Sequence, residues 1–292
     1  MKKENRIAIT TDSNSGILPN EYEEQGVFVL PMPFLVNGSS YFENVNLSQA
    51  DFYTLLNADA KVSTSQPSVG ELTEFWTELL KDYEELIHIP MSSGLSEACS
   101  SAKRLATEFN GKVTVVDNRR ISVSLKRSVL DAVFLRDEGK TATEIKKYLE
   151  ETASDSSIYI AVDTMKYLKK GGRVTTAAAT IGTILKIKPV LAIKGEKLDK
   201  FALPRNIVKA KETMKNAIKN DLDTQFAKFV ERGEMEIYVA HTNDEEGAKA
   251  FVEELQKFFP NVPVKEYAPL PLSVACHIGP NALAVACARV LK

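Results

Sequence analysis

Short apolar runs separated by helix-length amphipathic segments recur along this chain, and that alternation constrains its fold more than any other feature. Ile7-Ala8-Ile9-Thr10-Thr11 is a β-branched run stopped by Asp12-Ser13-Asn14-Ser15-Gly16, the pattern of a buried strand ending in a polar turn. Leu86-Ile87-His88-Ile89 and Val113-Thr114-Val115-Val116 repeat it. The spacing predicts helices over residues 68–80, 95–109, 124–136 and 142–153, and the capping boxes Ser68-x-x-Glu71 and Thr141-x-x-Glu144 fix two of their starts. Strands alternating with helices imply a mostly parallel, helix-covered sheet, hence an α/β class. One stretch departs from the rhythm. Residues 27–36 and 39–43 flank Asn37-Gly38 and read as a hairpin, with Pro31 and Pro33 pushing its first arm to an edge.

A second set of elements begins after the polar stretch Ser154-Asp155-Ser156-Ser157. It predicts a strand at 158–162, a helix at 175–186, a hairpin of 189–193 with 198–203, a helix at 207–218, a strand at 237–240, a helix at 245–259, and strands near 264–267 and 282–288. The boundary is placed near Ser154, giving an N-terminal α/β domain at 1–154 and a C-terminal α/β domain with a mixed sheet at 155–292. Without an internal repeat or a low-complexity linker, the two are expected to pack with a cleft between them.

The length of 292 residues suits about two domains, and 44% hydrophobic residues is enough for full cores. The 37 basic against 39 acidic residues leave a formal charge of −2, which argues against a nucleic-acid or anionic-membrane binder. Cys99, Cys276 and Cys287 form no CxxC pair, so a reducing compartment is expected, with the cytoplasm as default. No run approaches the roughly 20 apolar residues of a spanning helix, and the first residues lead into a strand rather than a signal-peptide core. Stable membrane insertion is therefore not expected, and any lipid role is that of a soluble protein.

Five segments carry candidate chemistry. Ser63-Thr64-Ser65-Gln66-Pro67-Ser68 runs into a helix N-terminus, which either caps the helix or favours an anion. Ser92-Ser93-Gly94-Leu95-Ser96 lies at the carboxyl end of a strand, where open α/β sheets bind ligands, and its hydroxyls suit a carboxylate or phosphate; a plain turn into a helix explains it equally. In Lys169-Lys170-Gly171-Gly172-Arg173 the glycines serve as C-cap and turn, and the Arg173 fork lies beyond them, able to reach an anion across a cleft. The uncharged segment 175–185, small in bulk, is either buried or the wall of an apolar cavity. His277 sits in a loop before the last strand, whereas His88 reads as a core or cleft-lining residue. Histidine and cysteine spacing offers no zinc site, and GxxxxGK[ST] is absent.

Taken in order, Thr11-Asp12-Ser13, Thr64-Ser65-Gln66-Pro67-Ser68, Ser92-Ser93-Gly94-Leu95-Ser96, Gly171-Gly172-Arg173 and His277-Ile278-Gly279-Pro280 resemble the DegV family of bacterial fatty-acid-binding proteins, over nearly the whole chain. The resemblance implies a two-domain α/β protein that encloses one long-chain fatty acid, with no cofactor and no metal. In members of the fatty-acid-kinase type, a separate ATP-binding kinase subunit phosphorylates the presented carboxylate for phospholipid synthesis, so the lipid-binding chain has no catalytic activity alone. It further implies that Thr64 and Ser93 hydrogen-bond the carboxylate, with Asp12, Ser13, Ser65, Ser92, Gly94, Arg173, His277 and Gly279 in the head-group vicinity. Ala178, Ile181, Gly182 and Leu185 are then candidates for the tunnel lining. The chain departs from the family pattern at Glu97-Ala98-Cys99, where Gly-Thr-Tyr is usual, and at Asn281, where glycine is usual.

Two other classes fit the same residues. One is a serine hydrolase or acyltransferase with Ser93 as nucleophile, His277 as base and Asp12 as orienter, although Pro90-Met91 replaces the Gly-x of a nucleophile elbow. The other is a small-anion or phospho-sugar module built on the hydroxyls and Arg173.

Overall fold

Along the strand Ile7–Asp12 successive side chains enter two different cores: Ile9 packs with Ile87, Ile89 and Leu125, whereas Ala8 packs with Leu86, Trp76 and Val113. A strand buried on both faces needs helices on both, the setting of a parallel sheet. The computed structural model, which describes residues 7–181 and 187–291, shows that sheet with the order Val27–Leu30, Ile7–Asp12, Glu85–Ile89, Val113–Val115, every pair parallel. Helices Ser122–Asp137 and Ala142–Glu151 cover one face, and Val69–Leu79 and Ala98–Ala106 the other. Both predicted capping boxes form, at Ser68 with Glu71 and at Thr141 with Glu144.

The second sheet is mixed. Its order is Asp199–Ala202, Val190–Ile193, Ser156–Ala161, Leu283–Arg289, Met235–His241, Val264–Pro269, and only the last pair is parallel. Alternation again sorts the side chains. Tyr159, Leu283, Val285 and Cys287 face helices Ile207–Asp223 and Glu245–Phe258, while Ile158, Ile160, Ala240, Ala284 and Ala286 face the opposite way. Three alanines on that second face leave a shallow apolar wall.

A third, antiparallel sheet of Ser39–Phe42, Pro33–Val36 and Val62–Thr64 corrects the expected hairpin. Residues 27–36 are not one arm: Val27–Leu30 joins the parallel sheet as its edge, the chain turns through Pro31 and Met32, and Pro33–Val36 becomes the central strand of the small sheet. Pro33 is tolerated because it opens the strand. The predicted turn does hold, with φ of 52° at Asn37 and 87° at Gly38.

The small sheet packs with helix Gln49–Asn57 against helix Leu272–Ile278, through Phe34, Val36, Phe52, Leu272, Ala275 and Cys276. His277 is therefore helical, not in a loop as the sequence suggested. Its seven-residue helix, announced only by Pro271, is too short to show a period. The helix expected over 175–186 is described as Thr176–Ala179, capped by Thr175, and residues 182–186 lie outside the described residues. Among the described residues no helix is long and apolar enough to cross a membrane.

Candidate functional site

Three polar side chains from three distant elements converge at one end of an apolar cavity. Thr64 closes the strand Val62–Thr64, and its Oγ1 lies 2.8 Å from Nε2 of His277 on the helix packed against that strand. Arg173 follows the helix Lys166–Gly171, which ends on Gly172 in the left-handed region, and this turn carries the guanidinium back over the helix end. Arg173 Nη1 donates to the Gly171 carbonyl at 2.5 Å and Nε to the Leu95 carbonyl at 3.2 Å. No carboxylate pairs with Arg173 among the described residues, so its charge is left for an incoming group. Gly171 is needed for another reason as well: a Cβ there would collide with the His277 ring.

Burial, and then the nearby Arg173 charge, push the His277 imidazole down to about 4, so it is neutral at pH 7. Its Nδ1 is buried without a hydrogen-bond partner among the described residues.

Behind this rim a chain of hydrogen bonds ties the strand ends to the same helix. Asp12 Oδ1 accepts from the Asn14 N–H and Nδ2, both at 2.9 Å, and Oδ2 accepts from the Met91 N–H at 2.9 Å. Burial nonetheless pushes the Asp12 carboxyl up to about 6. Asn14 Oδ1 in turn accepts from Ser273 Oγ at 2.6 Å. Asn14 and Ser273 line the cavity; Asp12 stands behind them, and Ser13 Oγ accepts from the Met32 N–H at 3.0 Å.

The serine loop is placed differently from expectation. Ser92 Oγ donates to the Gly195 carbonyl at 2.7 Å, and Gly94 sits so close to the hairpin turn that a Cβ would lie 2.7 Å from Glu196 Cα. Ser93 is exposed and is not among the residues that line the cavity. Its N–H lies 3.3 Å from Asp117 Oδ1 and its hydroxyl bonds the same carboxylate; burial of Asp117 opposes ionisation, but these bonds and Lys103 outweigh it and hold the carboxyl below its usual range. Ser65 lines the cavity, donating to the Gln66 carbonyl at 3.0 Å. Gly279, at φ 82°, ends the His277 helix, where a Cβ would collide with Tyr167. Glu97 is exposed at the edge of the cavity, where it accepts from Ser100 Oγ at 2.7 Å.

The cavity measures about 360 Å³, within the range of small-molecule sites. It lies between the loops at the carboxyl ends of the parallel strands and the alanine face of the mixed sheet, where α/β folds bind ligands. Leu95, Ile121, Ile158, Ile160, Leu168, Ile193 and Leu198 supply most of the aliphatic wall, with Ala240, Ala284 and Ala286 at its floor. Ala178 and Ile181 belong to the same apolar cluster but are not among the lining residues, and Gly182 and Leu185 lie outside the described residues. Sequence reasoning missed Asn14, Gln66, Ser96, Ser122 and Ser273 as lining residues. Asn14 follows the Asp12-Ser13 pair directly and could have been read with it, while Ser273 sits on the short helix that only Pro271 announces.

Such a site can hold an amphiphile by an aliphatic body and an anionic end. The three residues of the hydrolase reading are not joined among the described residues: the polar partners found for Ser93, His277 and Asp12 are Asp117, Thr64 and the Asn14–Met91 pair, so these three form no Ser-His-Asp relay. The three thiols are free and buried, and burial pushes Cys99 up to about 11 and Cys276 up to about 12, far from a reactive thiolate. Among the described residues no cluster of histidine, cysteine and carboxylate side chains could hold a metal. His88, as expected, is a core residue, packed edge-on against Trp76 and 2.9 Å from Thr10 Oγ1.

Comparison with known proteins agrees with this architecture. A family model described as an uncharacterised protein of the DegV family matches residues 6–290. A DegV domain-containing protein of Staphylococcus aureus is 31% identical over 252 residues, 86% of each chain. Among solved structures, a fatty-acid-binding DegV family protein from Thermus thermophilus superposes with a TM-score of 0.87 at 27% identity, covering 98% of this chain and 100% of that one. DegV of Bacillus subtilis, a fatty-acid-binding protein, superposes with a TM-score of 0.84 at 28% identity and the same coverage.

Proposed function

The chain belongs to the DegV family, and on that premise we propose that it binds one long-chain fatty acid, with the acyl chain in the cavity and the carboxylate at the rim beside Thr64, Arg173 and His277. The observation that carries this reading is the pairing of an aliphatic cavity of about 360 Å³ with an unneutralised arginine and a neutral hydroxyl–imidazole pair at one end. Burying a palmitoyl-sized chain of about fourteen methylenes, at ~0.8 kcal/mol each, is worth ~11 kcal/mol before the costs of association. The tail therefore supplies most of the affinity, and the rim adds a smaller share while it orients the head group.

The reading assigns the neutral His277 ring one of its two tautomers. A neutral His277 that donates from Nε2 to Thr64 Oγ1 frees the Thr64 hydroxyl proton for a carboxylate oxygen, and the Arg173 charge balances the anion. Ser93 is the second hydroxyl donor in this reading, reached when its bond to Asp117 is exchanged for one to the carboxylate. Hydroxyl donors hold a carboxylate without locking both oxygens in a rigid ion pair, which leaves one oxygen able to attack a γ-phosphate.

The chain carries no phosphate-binding loop of its own, so the proposed phosphoryl donor is an ATP-binding kinase subunit that docks over the rim, in the cytoplasm, and feeds acyl phosphate to phospholipid synthesis. Native mass spectrometry of the purified protein, followed by denaturing extraction, tests the binding step: a one-to-one adduct that extracts as free fatty acid is expected, and a protein that neither carries nor takes up fatty acid would reject the reading. Mixing with a fatty acid kinase subunit and ATP tests the second step. Arg173→Ala is expected to lower acyl-phosphate formation more than fatty-acid retention, and equal losses would reassign Arg173 to carboxylate binding alone.

A further inference from the structure

We propose that Ser122 marks a second polar station in the cavity, one that takes an oxygen carried on the acyl chain, so that the ligands of this protein include hydroxy and oxo fatty acids; the proposal rests on the fatty-acid reading above. Ser122 lines the cavity and is only 4% exposed, and its hydroxyl has no hydrogen-bond partner among the described residues. A buried hydroxyl left in this state costs the fold the full desolvation of the group unless a ligand supplies the partner. Because no bond holds the hydroxyl, turning it toward a ligand by rotation about χ1 breaks nothing.

The backbone gives independent reason to look here. Ser122 has a φ of 53°, in the left-handed region that glycine occupies freely and serine does not, yet the position carries a polar side chain. Ser122 also opens the 16-residue helix Ser122–Asp137, whose N-cap, Ile121, offers no side-chain acceptor. The nearby Ser124 hydroxyl is already committed to the backbone of Ile121, accepting from its N–H at 3.4 Å and donating to its carbonyl at 2.8 Å. The Ser122 oxygen is itself buried, so an oxygen arriving beside the residue meets the positive end of a helix dipole and, once χ1 has turned the hydroxyl into the cavity, an uncommitted donor.

Its chain neighbours Ile121 and Val123 line the cavity with it, and Ile158 and Ile160 are among the other aliphatic walls. Ser122 takes no part in the bonds of the Thr64, Arg173 and His277 rim. A plain methylene chain lying there leaves the hydroxyl unpaired. A chain hydroxyl or ketone at the matching carbon pairs with it, and a site built to hydrogen-bond an oxygen discriminates against the analogue that lacks one.

The test is displacement of a bound fluorescent fatty acid by octadecanoic acid and by a series of hydroxyoctadecanoic acids with the hydroxyl moved along the chain, using the unmodified protein and Ser122→Gly, which suits the positive φ. Hydroxy acids substituted within one narrow stretch of the chain should bind about tenfold tighter than octadecanoic acid, and that ratio should fall to one or below in Ser122→Gly. A ketone at the same carbon should follow the hydroxyl. If every hydroxy acid is weaker than octadecanoic acid in the unmodified protein, water or nothing serves Ser122 and the proposal is overturned; that series decides the matter even if the variant does not fold. A ratio that survives Ser122→Gly also overturns it, including the case in which all acids weaken together because Ser122 holds the carboxylate. Failure of any fatty acid to displace the probe would instead remove the fatty-acid reading, and this proposal with it.

Discussion

Thr64 Oγ1 and His277 Nε2 are 2.8 Å apart although 213 positions separate them in the chain. The contact exists because the small sheet of residues 33–64 leaves the rest of the N-terminal segment and packs on the helix Leu272–Ile278. A hydroxyl and an imidazole from opposite ends of the chain thus become one hydrogen-bonded unit at the cavity rim.

Thr64→Val keeps the branched shape and deletes the oxygen, which leaves both ring nitrogens of His277 without a partner. An unsatisfied buried polar atom costs about 1–3 kcal/mol, and at this chain length each kcal/mol corresponds to roughly 2–4 °C. The variant should melt several degrees lower by calorimetry and lose bound fatty acid faster on dilution. If both quantities match those of the unmodified protein, the pair contributes neither to stability nor to the head-group site.

The pH response of His277 follows from its neutral, buried state. With a folded value of about 4 against an ordinary 6.5, the unfolded chain takes up the proton first as pH falls. The stability this residue contributes is therefore complete above about 6.5 and is lost progressively down to about 4. A bound carboxylate opposes Arg173 and raises the value, so the His277 ring signals in an NMR titration should move to a higher midpoint when fatty acid is added. A midpoint that does not change on saturation with ligand would place the carboxylate away from His277.

Much of the fold was legible in the sequence because alternation and capping are local. The five strands Ile7–Asp12, Glu85–Ile89, Val113–Val115, Ser156–Ala161 and Met235–His241 each announce themselves as apolar runs rich in β-branched residues, and Ser68 and Thr141 mark their helices by the residue three positions on. What escaped detection was set by tertiary contact. Nothing local to residues 27–36 says that the run divides between two sheets, and the seven residues of Leu272–Ile278 become a helix chiefly because the small sheet covers them. Similarly, Ser93 and Thr64 look alike as hydroxyls in loop motifs. Only the fold reveals that Asp117 engages one while His277 engages the other.

Gly171 is the point on which both cationic and imidazole groups of the rim depend. Its carbonyl accepts from Arg173, and its lack of a side chain makes room for the His277 ring. Gly171→Ala should displace the ring, lower fatty-acid retention at least tenfold, and destabilise the fold by about 1–3 kcal/mol, in the range of overpacking. Gly70→Ala is the control: it lies in the helix Val69–Leu79, with only Ser68 Oγ, 3.9 Å away, near the added carbon, and should be neutral or stabilising by up to about 1 kcal/mol. Equal behaviour of the two variants would mean that the close approach at Gly171 has no role in the site.

The alanine face of the mixed sheet predicts how chain length is selected. On the strand Leu283–Arg289 the larger Leu283, Val285 and Cys287 turn toward the helices, while Ala284 and Ala286 turn toward the cavity, so the room for a ligand is written into one alternating run. Ala286→Leu adds three carbons to the cavity wall without altering the strand's hydrogen bonds. Space taken by the protein is space denied to the ligand, and the fatty acid extracted from the variant should be shorter by roughly three carbons than that from the unmodified protein. Thermal stability should change little, because the new side chain fills a cavity rather than a packed core. Mass spectrometry of the extracted lipid reads the outcome directly: an unchanged chain-length distribution in a folded variant would show that the acyl chain does not run over this face.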